Sequence, residues 1–245
     1  MKAIILAAGI ASRLRPLTDT MPKCLLQIGQ RCLLQRAFDG LIANGISEFV
    51  VVTGYRHEQI EDFLGAHYPD QNIHFIYNEV FASTNNIYSL WLTRSETEGQ
   101  DILLLDSDIL FDPRIVSRVL ASEKPDVLAL NNHSLSEEEI KVIVDEKGNV
   151  KEISKVCSIE HSKGESIGIE KMSSAYTAAL FKELEQMIEK EGLDNIFYER
   201  AFERLIPQGH TFGVIDTTDL YSVELDTVED LSLIHISEPT RLRCI

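Results

Sequence analysis

The chain alternates short apolar runs with stretches in which apolar residues recur every three or four positions. Residues 2–6 (KAIIL) are apolar after the leading lysine and open into Ala7, Ala8 and Gly9. An unbroken run of this kind marks a strand buried on both faces, as in parallel sheets. Leu33, Leu34, Ala37, Phe38, Leu41 and Ile42 then share one helical face, and Asn44-Gly45 follows in the manner of a helix C-terminus. The alternation continues with FVVV at 49–52 as a second buried strand and with Ile60, Phe63 and Leu64 on a helix. A third strand over 74–77, a helix over 87–92 and a fourth strand over 102–105 complete it.

This order predicts an α/β fold with a Rossmann-like, doubly wound sheet, in which ligands sit beyond the carboxyl ends of the strands. The informative loops are therefore those after Leu6 and Leu105. From about residue 127 the strands shorten and alternate, and 141–144 and 150–154 flank Asp145-Glu146-Lys147-Gly148-Asn149, a hairpin signal that makes the sheet mixed. Helices over 175–191 and 197–205 and strands over 212–215 and 221–225 follow. The expected organisation is one domain over 1–230, with a first half over about 1–125 and a second half, carrying the shorter strands, over about 126–230.

Composition narrows the partners. The chain has 245 residues, 44% hydrophobic and 25% charged, enough for one substantial core. With 39 acidic against 23 basic residues the net charge is −16, which repels nucleic acid and anionic membrane surfaces unless a basic patch is segregated. No run approaches the roughly 20 apolar residues of a membrane span, so no membrane insertion is expected. Cys24, Cys32, Cys157 and Cys244 lack metal-site spacing and read as free thiols of a cytoplasmic protein. Residues 231–245 (LSLIHISEPTRLRCI) break the preceding character and match the translation of a transposon-type sequencing adaptor, so they are expected to be a non-native tail without function.

Three constellations carry chemistry. Leu6-Ala7-Ala8-Gly9 leads to Arg13 and then to Pro22-Lys23. Small residues let backbone N–H groups approach phosphate oxygens, Arg13 offers a planar fork and Lys23 a point charge on a flexible stem, a set that balances a triphosphate. It is neither a Walker A loop nor a GxGxxG fingerprint. An ordinary strand-to-helix turn with solvated cations is the bland reading. Asp106-Ser107-Asp108 puts two carboxylates at the end of a buried strand, where hard oxygens suit Mg²⁺ bound to phosphates; a solvated strand end would look the same. Glu224-Leu225-Asp226-Thr227 repeats the theme, with Asp226 or Thr227 as a helix cap in the plain reading. Thr84, Asn85 and Asn86 add a hydroxyl and two amides at a helix start, able to read a pyrimidine edge or to cap.

The first segment closely resembles the signature of the NTP-transferases that make nucleotide sugars and related activated metabolites. The resemblance implies the nucleotide-diphospho-sugar transferase-like fold, a triphosphate held by the loop and Arg13, and Lys23 neutralising the transferred α-phosphate. It implies Mg²⁺ as cofactor, with Asp108 as ligand, Asp106 secondary, and Asp226 closing the metal site. The Asn85-Asn86-Ile87-Tyr88-Ser89-Leu90 string is similar to that of the phosphocholine cytidylyltransferases and their relatives, implying CTP as donor. By the same resemblance Lys155 meets the acceptor phosphate, and the segment containing Glu165 and Gly168 contacts the acceptor, though Glu170 stands where many relatives have Tyr. Tyr198 and Glu199, beside Phe197, would suit an ammonium-bearing acceptor through cation–π contact and charge, or would simply pack. The expected reaction moves CMP from CTP to a small phosphorylated acceptor, phosphocholine or a similar amino-alcohol phosphate or phosphonate, and releases pyrophosphate. The alternatives are a sugar-1-phosphate or inositol-phosphate nucleotidyltransferase, a metal-dependent glycosyltransferase and a non-catalytic nucleotide-binding regulator.

Overall fold

A computed structural model describes residues 1–133 and 135–232; the expected adaptor-like tail lies, apart from its first two residues, outside the described residues. In chain order the elements are β1 (Lys2–Ala7), β2 (Gln27–Ile28), β3 (Arg31–Cys32), α1 (Leu33–Ala43), β4 (Glu48–Thr53), α2 (His57–His67), β5 (Asn72–Tyr77), α3 (Asn86–Leu92) and α4 (Arg94–Thr97). Then come β6 (Ile102–Asp106), β7 (Ile109–Phe111), α5 (Arg114–Leu120), β8 (Val127–Asn131), β9 (Lys141–Val144), β10 (Val150–Ser154), β11 (Gly164–Met172), α6 (Ser174–Glu185), α7 (Glu199–Leu205), β12 (Gly213–Asp216) and β13 (Ser222–Glu224).

Nine strands form one mixed sheet. Strands β5, β4, β1 and β6 are parallel neighbours, β11 joins antiparallel to β6, and β8 and β12 continue beyond it. The expected hairpin is present as β9 and β10, and β9 pairs with the first residues of β11 where β6 has ended. Both faces of β4, β1 and β6 are buried, as their unbroken apolar runs require, whereas the edge strand β5 keeps Asn72, His74 and Tyr77 exposed. Ala3, Ile5 and Ala7 of β1 pack with α1, α2 and α5, whereas Ile4 and Leu6 pack with α3, α6 and α7. Helix α1 ends as expected, Gly45 taking φ +84° after the Asn44 cap.

Two expectations change. The helix foreseen over 175–191 is α-helical only to Glu185 and ends in a π-turn over Gln186–Lys190. Strand β11, read from sequence only as an acceptor-contacting segment, is a central strand of the sheet. Its polar residues conceal it, because Glu170 is fully buried and Lys171 nearly so. Among the described residues no helix is long and apolar enough to cross a membrane, and Cys24, Cys32 and Cys157 are free and buried. Cys244 lies outside the described residues.

Candidate active site

The loop after β1 emerges at the centre of the sheet, since Leu6 is in register with Val52 of β4 and Asp106 of β6. Its path depends on Gly54, where an added Cβ would stand 2.6 Å from the Ala8 carbonyl oxygen; the Tyr55 N–H donates to that same oxygen at 3.1 Å. Ala11 takes φ +51°, and the Thr18 hydroxyl donates to its carbonyl at 2.9 Å. Gly9 faces open space, and its N–H and that of Ile10 meet no backbone acceptor among the described residues. Amides left without an acceptor in such a turn suit an anion. Leu6, Ala7, Ala8, Gly9, Arg13 and Lys23 all line a cleft of about 690 Å³.

Across the cleft, Asp108 and Asp226 converge because β7 and β13 pair antiparallel, Ile109 against Glu224, and the Leu225 N–H donates to the Asp108 carbonyl at 3.0 Å. The Lys23 ammonium lies 2.8 Å from Asp108 Oδ2 and 2.8 Å from Asp226 Oδ1, and Arg13 reaches Asp226 Oδ2 at 2.6 Å. Burial works to discharge Lys23, but the two carboxylates outweigh it and raise its pKa. Thr227 and Asp230 form a capping box: Asp230 Oδ2 accepts from the Asp226 and Thr227 N–H groups at 3.0 and 2.6 Å, and its own N–H donates to the Thr227 hydroxyl at 3.2 Å. The capping function and the site function of this segment are thus the same structure, which holds Asp226 in place.

Glu224, read from sequence only as the carboxylate paired with Asp226, belongs here as well. Its carboxylate lies within 4.8 Å of those of Asp108 and Asp226, and burial, with both aspartates beside it, pushes its pKa up to about 8. Asp108 Oδ1 is buried without a hydrogen-bond partner. Three close carboxylates and an orphaned oxygen fit a hard divalent cation such as Mg²⁺. Asp106, two residues earlier, also lines the cleft but has an internal partner: it accepts the Tyr198 hydroxyl at 2.9 Å, and burial, then Asp108, Glu199 and Glu170, raises its pKa.

Thr84, Asn85 and Asn86 also line the cleft, and each has an internal partner. Thr84 bonds Asn78 and the Val80 carbonyl, Asn85 Oδ1 caps α3 through the Asn86 N–H, and Asn86 Oδ1 accepts the Tyr198 N–H. The amide NH₂ groups of both asparagines make no hydrogen bond among the described residues and remain for a ligand. At the far end stand Lys155, Glu165, Gly168 and Glu199, together with His133, Glu139 and Phe197. His133 and Glu139 gave no sequence signal, since isolated polar residues in a loop are ordinary. Tyr198, expected to touch the acceptor, does not line the cleft: it is fully buried against Phe202 and acts through its hydroxyl on Asp106. Helical packing explains the tyrosine, as the plainer reading of that segment allowed.

A nucleotide-sized cleft at the carboxyl edge of a doubly wound sheet, with paired cations facing clustered carboxylates, defines a class of phosphoryl- and nucleotidyl-transfer proteins. The chain belongs to the MobA-like NTP transferase domain family, which matches residues 3–205. Over 107 residues it is 37% identical to a choline-phosphate cytidylyltransferase of Streptococcus pneumoniae, covering 44% of this chain and 45% of that protein. Over 129 residues it is 33% identical to a CMP-5'-(3-aminopropyl)phosphonate synthase of Streptomyces rubellomurinus, covering 53% of this chain and 20% of that one. The matched stretches thus span half or less of these relatives. The solved inositol-1-phosphate CTP transferase of T. maritima superposes with a TM-score of 0.78 at 21% identity, over 97% of this chain and 96% of its own, which establishes the shared fold.

Proposed function

We propose that the chain transfers CMP from CTP to a small phosphorylated acceptor and releases pyrophosphate, with Mg²⁺ held by Asp108, Asp226 and Glu224. The observation that carries this reading is the single Lys23 ammonium between Asp108 and Asp226, at the mouth of an amide-lined loop. The cytidylyl donor and the phosphate or phosphonate acceptor follow the two relatives named above. Bound metal supplies Lewis-acid charge stabilisation and a template for the phosphates. The rest falls to the side chains. The 1–125 half binds the nucleotide: the loop amides and Arg13 hold the triphosphate, and the NH₂ groups of Asn85 and Asn86 donate to the acceptor edge of cytosine. The 126–230 half presents the acceptor, its phosphate toward Lys155 and its chain past Gly168.

The acceptor phosphate oxygen bonds to the α-phosphorus as the bond to pyrophosphate breaks, in line, so catalysis is positioning and charge neutralisation. Lys23 leaves its carboxylate partners for the transferred phosphate. CTP supply and free buried thiols suit a cytoplasmic enzyme. The test is pyrophosphate release from a panel of NTPs against phosphocholine, 2-aminoethyl phosphate, 2-aminoethylphosphonate, sugar 1-phosphates and inositol phosphate, with and without EDTA. CTP with an amino-phosphate or phosphonate should turn over, and EDTA should abolish it. Turnover confined to UTP or dTTP with a sugar 1-phosphate would replace this reading.

A further inference from the structure

The acceptor end of the cleft is lined with hydrogen-bond acceptors rather than rings. Glu199 is 6% exposed, lines the cleft, and its Oε2 has no hydrogen-bond partner. Glu165 lines the same cleft, with His133 Nδ1 3.5 Å away, and Glu139 completes a group whose ligand atoms lie within 4.8 Å of one another. Burial pushes the Glu165 and Glu199 carboxyls up to about 7, with Glu139 adding to the effect on Glu165 and Lys155 offsetting only part of it at Glu199. No ion pair of the described residues engages Glu199.

Aromatic surface is scarce there. Tyr198 is buried in the core, and one face of Phe197 is occupied by the Lys155 ammonium, 4.7 Å from the ring centroid. Phe81, the other phenylalanine on the cleft, packs against Tyr55 beside the nucleotide loop. A quaternary ammonium carries no N–H and is recognised by several ring faces. A primary ammonium brings three N–H donors that need oxygen acceptors.

We infer that this site selects acceptors ending in a primary ammonium, ω-amino phosphates or phosphonates, over their trimethylammonium counterparts, through Glu199 and Glu165. The inference rests on the proposed nucleotidyl transfer to a phosphorylated acceptor. A site whose buried acceptors expect N–H groups rejects a ligand that lacks them, because the acceptors are left unpaired.

The experiment compares kcat/KM, with CTP and Mg²⁺, for 2-aminoethyl phosphate, its N-methyl and N,N-dimethyl forms, phosphocholine and 2-aminoethylphosphonate. The value should fall with each methyl, to about 10²-fold below the primary amine for phosphocholine. The phosphate and phosphonate arms identify which headgroup is preferred. Glu199→Gln and Glu165→Gln should each reduce the primary-amine preference at least about tenfold while the KM for CTP stays within about twofold, which also reports that the variants are folded. Phosphocholine turned over as well as, or better than, the primary amines by the unsubstituted enzyme overturns the inference and leaves the nucleotidyltransferase reading standing. So does an unchanged preference in both variants. No pyrophosphate from any amino-phosphate or phosphonate overturns the broader reading and this inference with it.

Discussion

Lys23 is asked to do two things with one charge. It pairs with Asp108 and Asp226 in the fold, and in the proposed reaction it neutralises phosphate. Lys23→Ala should therefore lower kcat by roughly 10²–10³, the usual cost of losing one preorganised donor to a transition state. It should also lower the melting temperature, since three close carboxylates then face one another, and Mg²⁺ should raise that temperature more in the variant than in the parent. Activity assays and thermal melts with and without Mg²⁺ read both effects; parental turnover in the variant would end Lys23's assignment. Glu199 makes the opposite compromise. Its carboxyl keeps its proton to about pH 7 in the fold, against an ordinary 4.5, because burial strips its hydration. Folding thus takes up a proton between those pH values, and stability falls as pH rises through that window. Glu199→Gln should be more stable than the parent at pH 8 by up to about 3 kcal/mol and should converge with it near pH 5. Melts across that range check the sign; a constant offset at all pH values would show that the carboxyl is ionised throughout.

At the scale of elements, β11 organises the side of the cleft proposed to hold the acceptor. Its register shifts between Ser166 and Glu170, around Gly168 at φ +71°, and this lets its first residues pair with β9 and its last with β6. A Cβ at Gly168 would lie 2.7 Å from Asp106 Oδ2 and 3.0 Å from Ile109 Cδ1. Gly168→Ala combines a left-handed backbone with that clash and should cost about 1–3 kcal/mol, with kcat falling as Asp106 and Ile109, which flank Asp108, are displaced. Denaturant titration and turnover should fall together; loss of stability alone would confine Gly168 to the fold. The β7–β13 pair is the other decisive element, because it sets Asp108 beside Asp226 across more than a hundred residues. Nothing in either short segment marks it as a partner of the other.

At the scale of the whole molecule, one sheet runs from β5 to β12 through both the nucleotide and the acceptor sides. Unfolding by heat should accordingly be a single transition, and CTP with Mg²⁺ should move it intact, by about 2.7 kcal/mol at a hundredfold excess over Kd. Two separated transitions, with only one responding to CTP, would show that the halves unfold apart. With a net charge of −16 the protein repels polyanions in general, and in the proposed reaction the cations Arg13, Lys23 and Lys155 of the cleft meet the substrate phosphates.

The sequence by itself determined the strands buried on both faces, the helices between them, the β9–β10 hairpin and the position of the glycine-containing loop after β1. Those follow from periodicity and from residues whose local preferences decide their conformation. Only the tertiary structure decided that β11 is a central strand, that Glu224 joins Asp108 and Asp226, that Tyr198 is core, and that Glu165 and Glu199 line one cleft. Each depends on contacts between distant segments, where a buried charge is stabilised or stranded by neighbours that no window of the chain contains.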